Sequence, residues 1–225
     1  LEQPAIGIET GGKQDRIDAA IAAHAVLGLV EPQSSGLGGG GYMVVYDRKS
    51  NSTLVFDGRE TAPATATADH FTVNGQNLGF GQAIQSGKSV GPPGAVAIYK
   101  AAHDKFGKLA WGKDFEAAIK LADEGFIVSP RLANSLGDRF KNGQLGKNPG
   151  SGPYFFPNGK ALAVGDRRTN PEYAAVLRAV AKDGPSAFYS GKIAQDIVDA
   201  VHSGEIAGDL SLKDLADYKV LVKPA

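Results

Sequence analysis

Cysteine is absent from the 225 residues. That removes disulfides, thiolate metal sites and a cysteine nucleophile from consideration, and it fits an exported protein as well as many cytosolic ones. Charge of one sign is missing too. Twenty-four basic residues balance twenty-four acidic ones, for a formal net charge of zero. Such a chain carries no electrostatic footprint for nucleic acid or an anionic membrane. No apolar run approaches the roughly 18 residues that a transmembrane helix needs. Leu1 to Gly12 lacks a basic start followed by an apolar block, so no signal peptide is visible; the expectation is that one has been removed. The four histidines, His24, His70, His103 and His202, contain no i, i+4 pair, so a zinc helix and a metal site are unsupported. No cofactor is implied, and a serine-hydrolase elbow is not expected.

What is present is ordinary for a globular protein: 42% hydrophobic and 21% charged residues. A chain this long buries roughly three quarters of the surface it exposes when unfolded, so core size is not the limit. Glycine is plentiful, with 30 residues, and it is concentrated in loop-rich stretches between periodic ones.

Ile17 to Val30 (IDAAIAAHAVLGLV) is alanine-rich and apolar almost all round, which predicts a buried helix. His24 inside it reads as a hydrogen-bonded core histidine rather than a ligand. Tyr42 to Tyr46 and Thr53 to Phe56 predict a β-hairpin, apolar on both faces and so buried on both. Residues 64–93 read as a long excursion loop with at most a short helix near Ala68 to Phe71; loops of this length are often functional. From Gly94 the pattern is helical. Helices are predicted over Ala95 to Phe106, Trp111 to Glu124, Pro130 to about Phe140 and Pro171 to Lys182. Two more are predicted over Ile193 to His202 and after Ser211. Ser129-Pro130 and Asn170-Pro171 are cap-then-proline starts, and Ser211-x-x-Asp214 is a capping box. The fold class is α+β, with residues 1–93 holding helix, hairpin and loop and residues 94–225 mostly helical.

Gly36-Leu37-Gly38-Gly39-Gly40-Gly41 spells G-x-G-x-x-G. The dinucleotide fingerprint requires that loop after a strand and before a helix; here the order is helix, loop, strand, which puts the positive helix end on the wrong side. The remaining readings are a tight strand entry where backbone packs on backbone, or a place where substrate or a neighbouring chain approaches. Gly87-Lys88-Ser89 is not a phosphate loop, because position 82 is Gln82 rather than glycine. Arg59 is the most informative charge. It follows a strand, where its planar fork is well placed to hold a carboxylate bidentately. The competing reading is a structural ion pair with Asp57, Glu60 or a residue elsewhere.

Several stretches together resemble the large subunit of γ-glutamyltransferases (glutathione hydrolases). They are Asp18-Ala19-Ala20, residues 31–41 (EPQSSGLGGGG), Arg59-Glu60-Thr61-Ala62-Pro63 and Gly91-Pro92-Pro93-Gly94. Residues 122–128 (ADEGFIV) and 212–218 (LKDLADY) look similar too. The stretch before the first helix departs from the usual G-G-N-x-x-D-A-A, reading Gly11-Gly12-Lys13-Gln14-Asp15-Arg16-Ile17-Asp18. The resemblance implies an N-terminal nucleophile hydrolase with a four-layer αββα sandwich, of which 1–225 is part of one domain. It implies a precursor that cuts itself into two subunits. The nucleophile is then a threonine leading the small subunit, its own amine acting as base, with no catalytic residue in this chain. Arg59 is implied to bind the α-carboxylate of a γ-glutamyl substrate such as glutathione. The implied partner is that small subunit, as a heterodimer, in the periplasm or outside the cell, without nucleic acid or membrane span. The alternatives are a cephalosporin (glutaryl) acylase of the same superfamily, or a non-catalytic relative that binds a ligand or partner.

Overall fold

The computed structural model describes residues 16–137 and 141–225. The irregular start at Gly11 to Asp15 lies outside them, while the helix expected to run from Pro130 to about Phe140 ends at Ser135. In chain order the first elements are α1 (Arg16–Val30), β1 (Gly41–Asp47), β2 (Ser52–Gly58), β3 (Thr72–Val73), β4 (Gln76–Asn77) and α2 (Phe80–Ala83). Then come α3 (Ala95–Phe106), α4 (Glu116–Glu124), β5 (Phe126–Ile127), α5 (Pro130–Ser135), α6 (Gln144–Lys147) and α7 (Ser151–Phe155). The chain continues with β6 (Arg167–Arg168), α8 (Pro171–Asp183), α9 (Ser186–Tyr189), α10 (Gly191–His202), α11 (Leu212–Asp217) and β7 (Leu221–Pro224). It divides into two compact units. One is the chain up to Gly36 with Lys108–Arg178; the other is Leu37–Gly107 with Ala179–Ala225. Among the described residues no helix is long and apolar enough to cross a membrane.

The first unit is helical. Its core gathers Leu29 of α1, Ala122 of α4, Phe126, Val128, Leu132 of α5 and Ala174 of α8. Each large aliphatic side chain so buried contributes roughly 1.5–3 kcal/mol. The apolar-all-round reading of α1 is modified. Ile17, Ile21, Ala25 and Leu29 are buried, but Leu27 is 42% exposed. Alanine is small enough to face either way, so the buried stripe is narrower than composition suggested. Tyr173 donates from its hydroxyl to Ala25 O at 2.8 Å, and that hydroxyl would sit 2.7 Å from a Cβ at Gly28.

Ser129 works as predicted. Its Oγ accepts from Leu132 N at 3.0 Å at the start of α5, and it donates to Glu31 Oε1 at 2.6 Å. Ser129→Ala removes both bonds, and a lost helix cap costs about 1–2 kcal/mol. The expected result is a melting temperature lower by about 3–6 °C in calorimetry; an unchanged value would contradict the cap.

In the second unit β2 is the centre of an antiparallel sheet in the order β1-β2-β7, with Val44 opposite Val55 and Val55 opposite Lys223. Phe56 is buried and meets Phe106 of α3 edge-on at 6.3 Å. The other sheet face is open, contrary to the reading of a hairpin buried on both sides. Tyr42, Val44 and Tyr46 are 61%, 64% and 61% exposed, and Leu221 is 63% exposed. Residues two apart on a strand share a face, and the register puts all four with Val55.

The excursion loop also differs from expectation. Ala68 to Phe71 is a turn, with His70 N donating to Thr67 O, and no helix forms there. A two-residue hairpin follows, β3 with β4, turned by Asn74 and Gly75 at φ 52° and 76°. That asparagine-glycine pair favours left-handed backbone and is the local signal for such a hairpin.

Candidate functional site

The site lies in the second unit, where β2 ends. Gly58 closes the strand, and Arg59 to Pro63 run on without regular structure. The chain direction at Arg59 is set by its neighbours. Asp57 Oδ1 accepts from Arg59 N at 3.3 Å, while Asp57 Oδ2 pairs with Lys223 of β7 at 3.0 Å. That Lys223 ammonium holds the Asp57 carboxyl below the usual carboxylate range.

The Arg59 segment lines a cavity of about 480 Å³ together with Gly38, His70, Lys88 and Gly91. Arg59 Nη1 lies 3.4 Å from Glu60 Oε2, and the arginine side chain is 59% exposed. An ion pair this exposed contributes only about 0–1 kcal/mol. Glu60 is therefore a partner that a bidentate carboxylate can displace.

The glycine run has two roles, divided residue by residue. A Cβ at Gly40 would lie 2.1 Å from Gly58 O, so this glycine is needed for backbone to approach backbone. A Cβ at Gly38, which lines the cavity, would meet nothing within 4 Å. Gly39 O accepts from Gly94 N and Ala95 N, both at 3.0 Å, and so satisfies the first donors of α3. The run is thus a tight strand entry fastened to a helix start.

Two cavity residues escaped sequence reasoning. His70 reads as a surface loop residue, yet its side chain is 11% exposed. Its Nε2 lies 2.7 Å from Lys88 O and its Nδ1 lies 3.3 Å from Asp209 Oδ2. Lys88 Nζ reaches the same Asp209 oxygen at 3.3 Å. No local pattern marks these residues, because Asp209 joins them only through the fold. One spelling of the nucleophile elbow, G-x-S-x-G, does occur, at Gly87-Lys88-Ser89-Val90-Gly91. The structure disqualifies it. Ser89 sits in a 3-10 turn, not between a strand and a helix, and its Oγ donates to Ser86 O at 3.0 Å.

Outside this cavity, in the first unit, Asp114 is buried near Asp18, which accepts from Lys108 N and Leu109 N at 2.8 and 3.1 Å. Desolvation, then the Asp18 charge, push the Asp114 carboxyl up to about 7. A raised carboxyl pKa means that the folded state holds the proton more tightly than the unfolded one. This group's contribution is fully present below pH 4 and is lost as pH rises to about 7. Its ceiling is roughly 4 kcal/mol. Chemical denaturation between pH 4 and 7.5 is expected to show stability falling with pH, and Asp114→Asn to flatten that slope. An unaltered slope in the variant would refute the assignment. His24 is half-buried, and desolvation pushes its imidazole below the ordinary value.

Solved structures with this fold include gamma-glutamyltranspeptidase from Helicobacter pylori, at TM-score 0.83 and 30% identity, covering 92% of this chain and 58% of that one. Another is cephalosporin acylase from Bacillus halodurans, at TM-score 0.80 and 27% identity, covering 92% and 38%. The chain is therefore α+β, with the N-terminal nucleophile hydrolase fold. The family profile described as Gamma-glutamyltranspeptidase matches residues 8–225, and the chain belongs to that family. Among curated relatives, Glutathione hydrolase 3 of Arabidopsis thaliana is 36% identical over 93% of this chain and 31% of its own length. Glutathione hydrolase proenzyme of Bacillus subtilis (strain 168) is 35% identical over 96% and 36%. The chain thus spans about a third of the length of these relatives.

Proposed function

We propose that this chain supplies the arginine wall of a γ-glutamyl-binding site, in an enzyme that hydrolyses γ-glutamyl amides such as glutathione or transfers the γ-glutamyl group to an amine. The carrying observation is the exposed, weakly held Arg59 fork at a 480 Å³ cavity. A substrate α-carboxylate displaces Glu60 and takes two parallel hydrogen bonds from the guanidinium. That fixes one end of the substrate, so that the γ-carbonyl can be held in line for attack.

The nucleophile in this proposal is the N-terminal threonine of a small subunit cut from the same precursor. Its amine takes the hydroxyl proton as the oxygen attacks the γ-carbonyl, and the departing amine leaves with a proton. Water or an acceptor amine then cleaves the γ-glutamyl ester. The open face carrying Tyr42, Val44, Tyr46 and Leu221 is the surface on which the other sheet of the αββα sandwich packs. The name of the Bacillus subtilis relative, a proenzyme, supports processing. An exported location is proposed on the family resemblance.

The test uses the protein expressed from its complete gene. Mass measurement and N-terminal sequencing are expected to find two chains, with threonine leading the smaller, and release of p-nitroaniline from γ-glutamyl-p-nitroanilide. One uncut chain without turnover would favour a non-catalytic relative. Faster release from the glutaryl than from the γ-glutamyl anilide would favour an acylase.

A further inference from the structure

We infer that residues 211–218 form a positioning clamp for Arg59, with Tyr218 as its key residue; this rests on the γ-glutamyl reading above. Residues 59–64 carry the substrate arginine on irregular backbone, which by itself holds a side chain loosely. The fold fastens both ends of that segment from one short element. At one end, Tyr218 donates from its hydroxyl to the carbonyl oxygen of Arg59 at 3.0 Å. At the other, Ala64 N donates to Asp214 Oδ1 at 2.8 Å. Between them Thr61 O is approached by Gly91, where a Cβ would lie 2.1 Å away.

The clamp is itself anchored. Asp214 Oδ2 accepts from Ser211 N and from Ser211 Oγ, at 2.9 and 2.6 Å, closing the capping box of α11. One carboxylate thus caps a helix with one oxygen and holds the substrate loop with the other. The Tyr218 ring stacks on Tyr189 with centroids 5.9 Å apart and planes 18° from parallel. The Tyr189 hydroxyl donates to Pro93 O at 2.6 Å and accepts from Ala97 N at 3.2 Å. Burial pushes that hydroxyl well above the ordinary tyrosine range, so it stays a donor throughout the working pH range. Tyr218 thereby ties the Arg59 carbonyl to the start of α3.

The consequence is functional because of which carbonyl is held. The Arg59 side chain is 59% exposed, so its own contacts do not fix it. A bidentate carboxylate needs the fork within about 0.5 Å and 10–20° of the productive placement. Fixing the main chain of the arginine itself removes much of that freedom before substrate arrives. Tyr218 acts through Arg59 and does not touch the ligand.

The experiment measures Kd by calorimetry on the protein expressed from its complete gene, with L-glutamate and 4-aminobutyrate as probes. The second lacks the α-carboxylate. Tyr218→Phe removes one hydroxyl and keeps the ring stack. It is expected to weaken glutamate binding about 3- to 10-fold, the scale of one hydrogen bond, and to leave 4-aminobutyrate within about twofold. Added to Arg59→Ala it is expected to cost nothing more, because both act through one contact. The melting temperature is expected to stay within about 2 °C. Equal weakening of both probes, or additivity with Arg59→Ala, would show a merely structural tyrosine and overturn the clamp. If Arg59→Ala weakens glutamate while Tyr218→Phe does not, the clamp alone fails. If Arg59→Ala leaves glutamate binding intact, the γ-glutamyl reading fails with it.

Discussion

Replacing Arg59 with alanine is expected to lower kcat/KM for γ-glutamyl-p-nitroanilide by roughly 30- to several-thousand-fold, that is by about 2–5 kcal/mol. The magnitude comes from what is left behind. In the proposed binding mode the α-carboxylate has lost water, and without the guanidinium it would be buried and unpaired. The standing contact of Arg59, at 3.4 Å to Glu60, offsets little of this, because it is exposed and weak. A carboxylate remote from the reacting carbonyl is held alike in ground and transition states, so the loss falls mainly on KM. Arg59→Lys is expected to lie between wild type and alanine, since an ammonium keeps the charge but not the two-pronged geometry. Steady-state kinetics of both variants checks this. Wild-type kinetics from Arg59→Ala would end the assignment.

The second large effect is on stability. Gly94→Ala is expected to cost about 3 kcal/mol or more, and to lower the melting temperature by roughly 6–12 °C. Gly94 has φ −104° and ψ −13°, a conformation alanine adopts without strain. The penalty is therefore one of space alone. A Cβ there would lie 1.9 Å from Gly58 O and 2.4 Å from the Tyr218 hydroxyl. The first neighbour is backbone in the last residue of β2 and cannot swing aside. The same carbonyl would lie 2.1 Å from a Cβ at Gly40, so three chain segments meet at one oxygen. Gly36→Ala is the control. A Cβ at Gly36 would meet nothing within 4 Å, so its effect is expected to stay within about 0.5 kcal/mol. Equal melting temperatures for the two variants would show that the close approach at Gly58 is not needed.

These two predictions differ in how far the sequence foretold them. The strand-end place of Arg59 was legible because its signals are local: a strand of β-formers, then an arginine, within a run of residues resembling a known family. The glycine crossing was legible only as a puzzle. Four consecutive glycines at 38–41 spell a nucleotide loop with its helix and strand in the wrong order. Nothing along the chain said that Gly58 O was the atom they had to reach. The excursion loop shows the opposite failure. Asn74-Gly75 carries a local hairpin-turn signal, and the pattern at Ala68 to Phe71 predicts a short helix where the chain makes a turn.

The capped helix starts followed the sequence closely, whereas the helix expected to run to about Phe140 stops at Ser135. Ser129 caps α5, and Ser211 with Asp214 closes a reciprocal box at α11. Capping joins groups three residues apart, so the sequence holds both partners within one window. Strand β7 was invisible by the same logic. Its four residues are defined by pairing with β2, across more than 160 positions of chain.

What the amino-acid sequence determined by itself is therefore what short-range forces decide: the longer helices, the caps at Ser129 and Ser211, the first hairpin, the neutral charge and the strand-end arginine. The tertiary structure alone decided which groups surround that arginine. Tyr218 stands 159 residues from Arg59, and Asp214 stands 150 from Ala64. Contacts at such separations depend on how every intervening element packs. A side chain's type announces that it can donate or accept, and only the folded chain selects its partner.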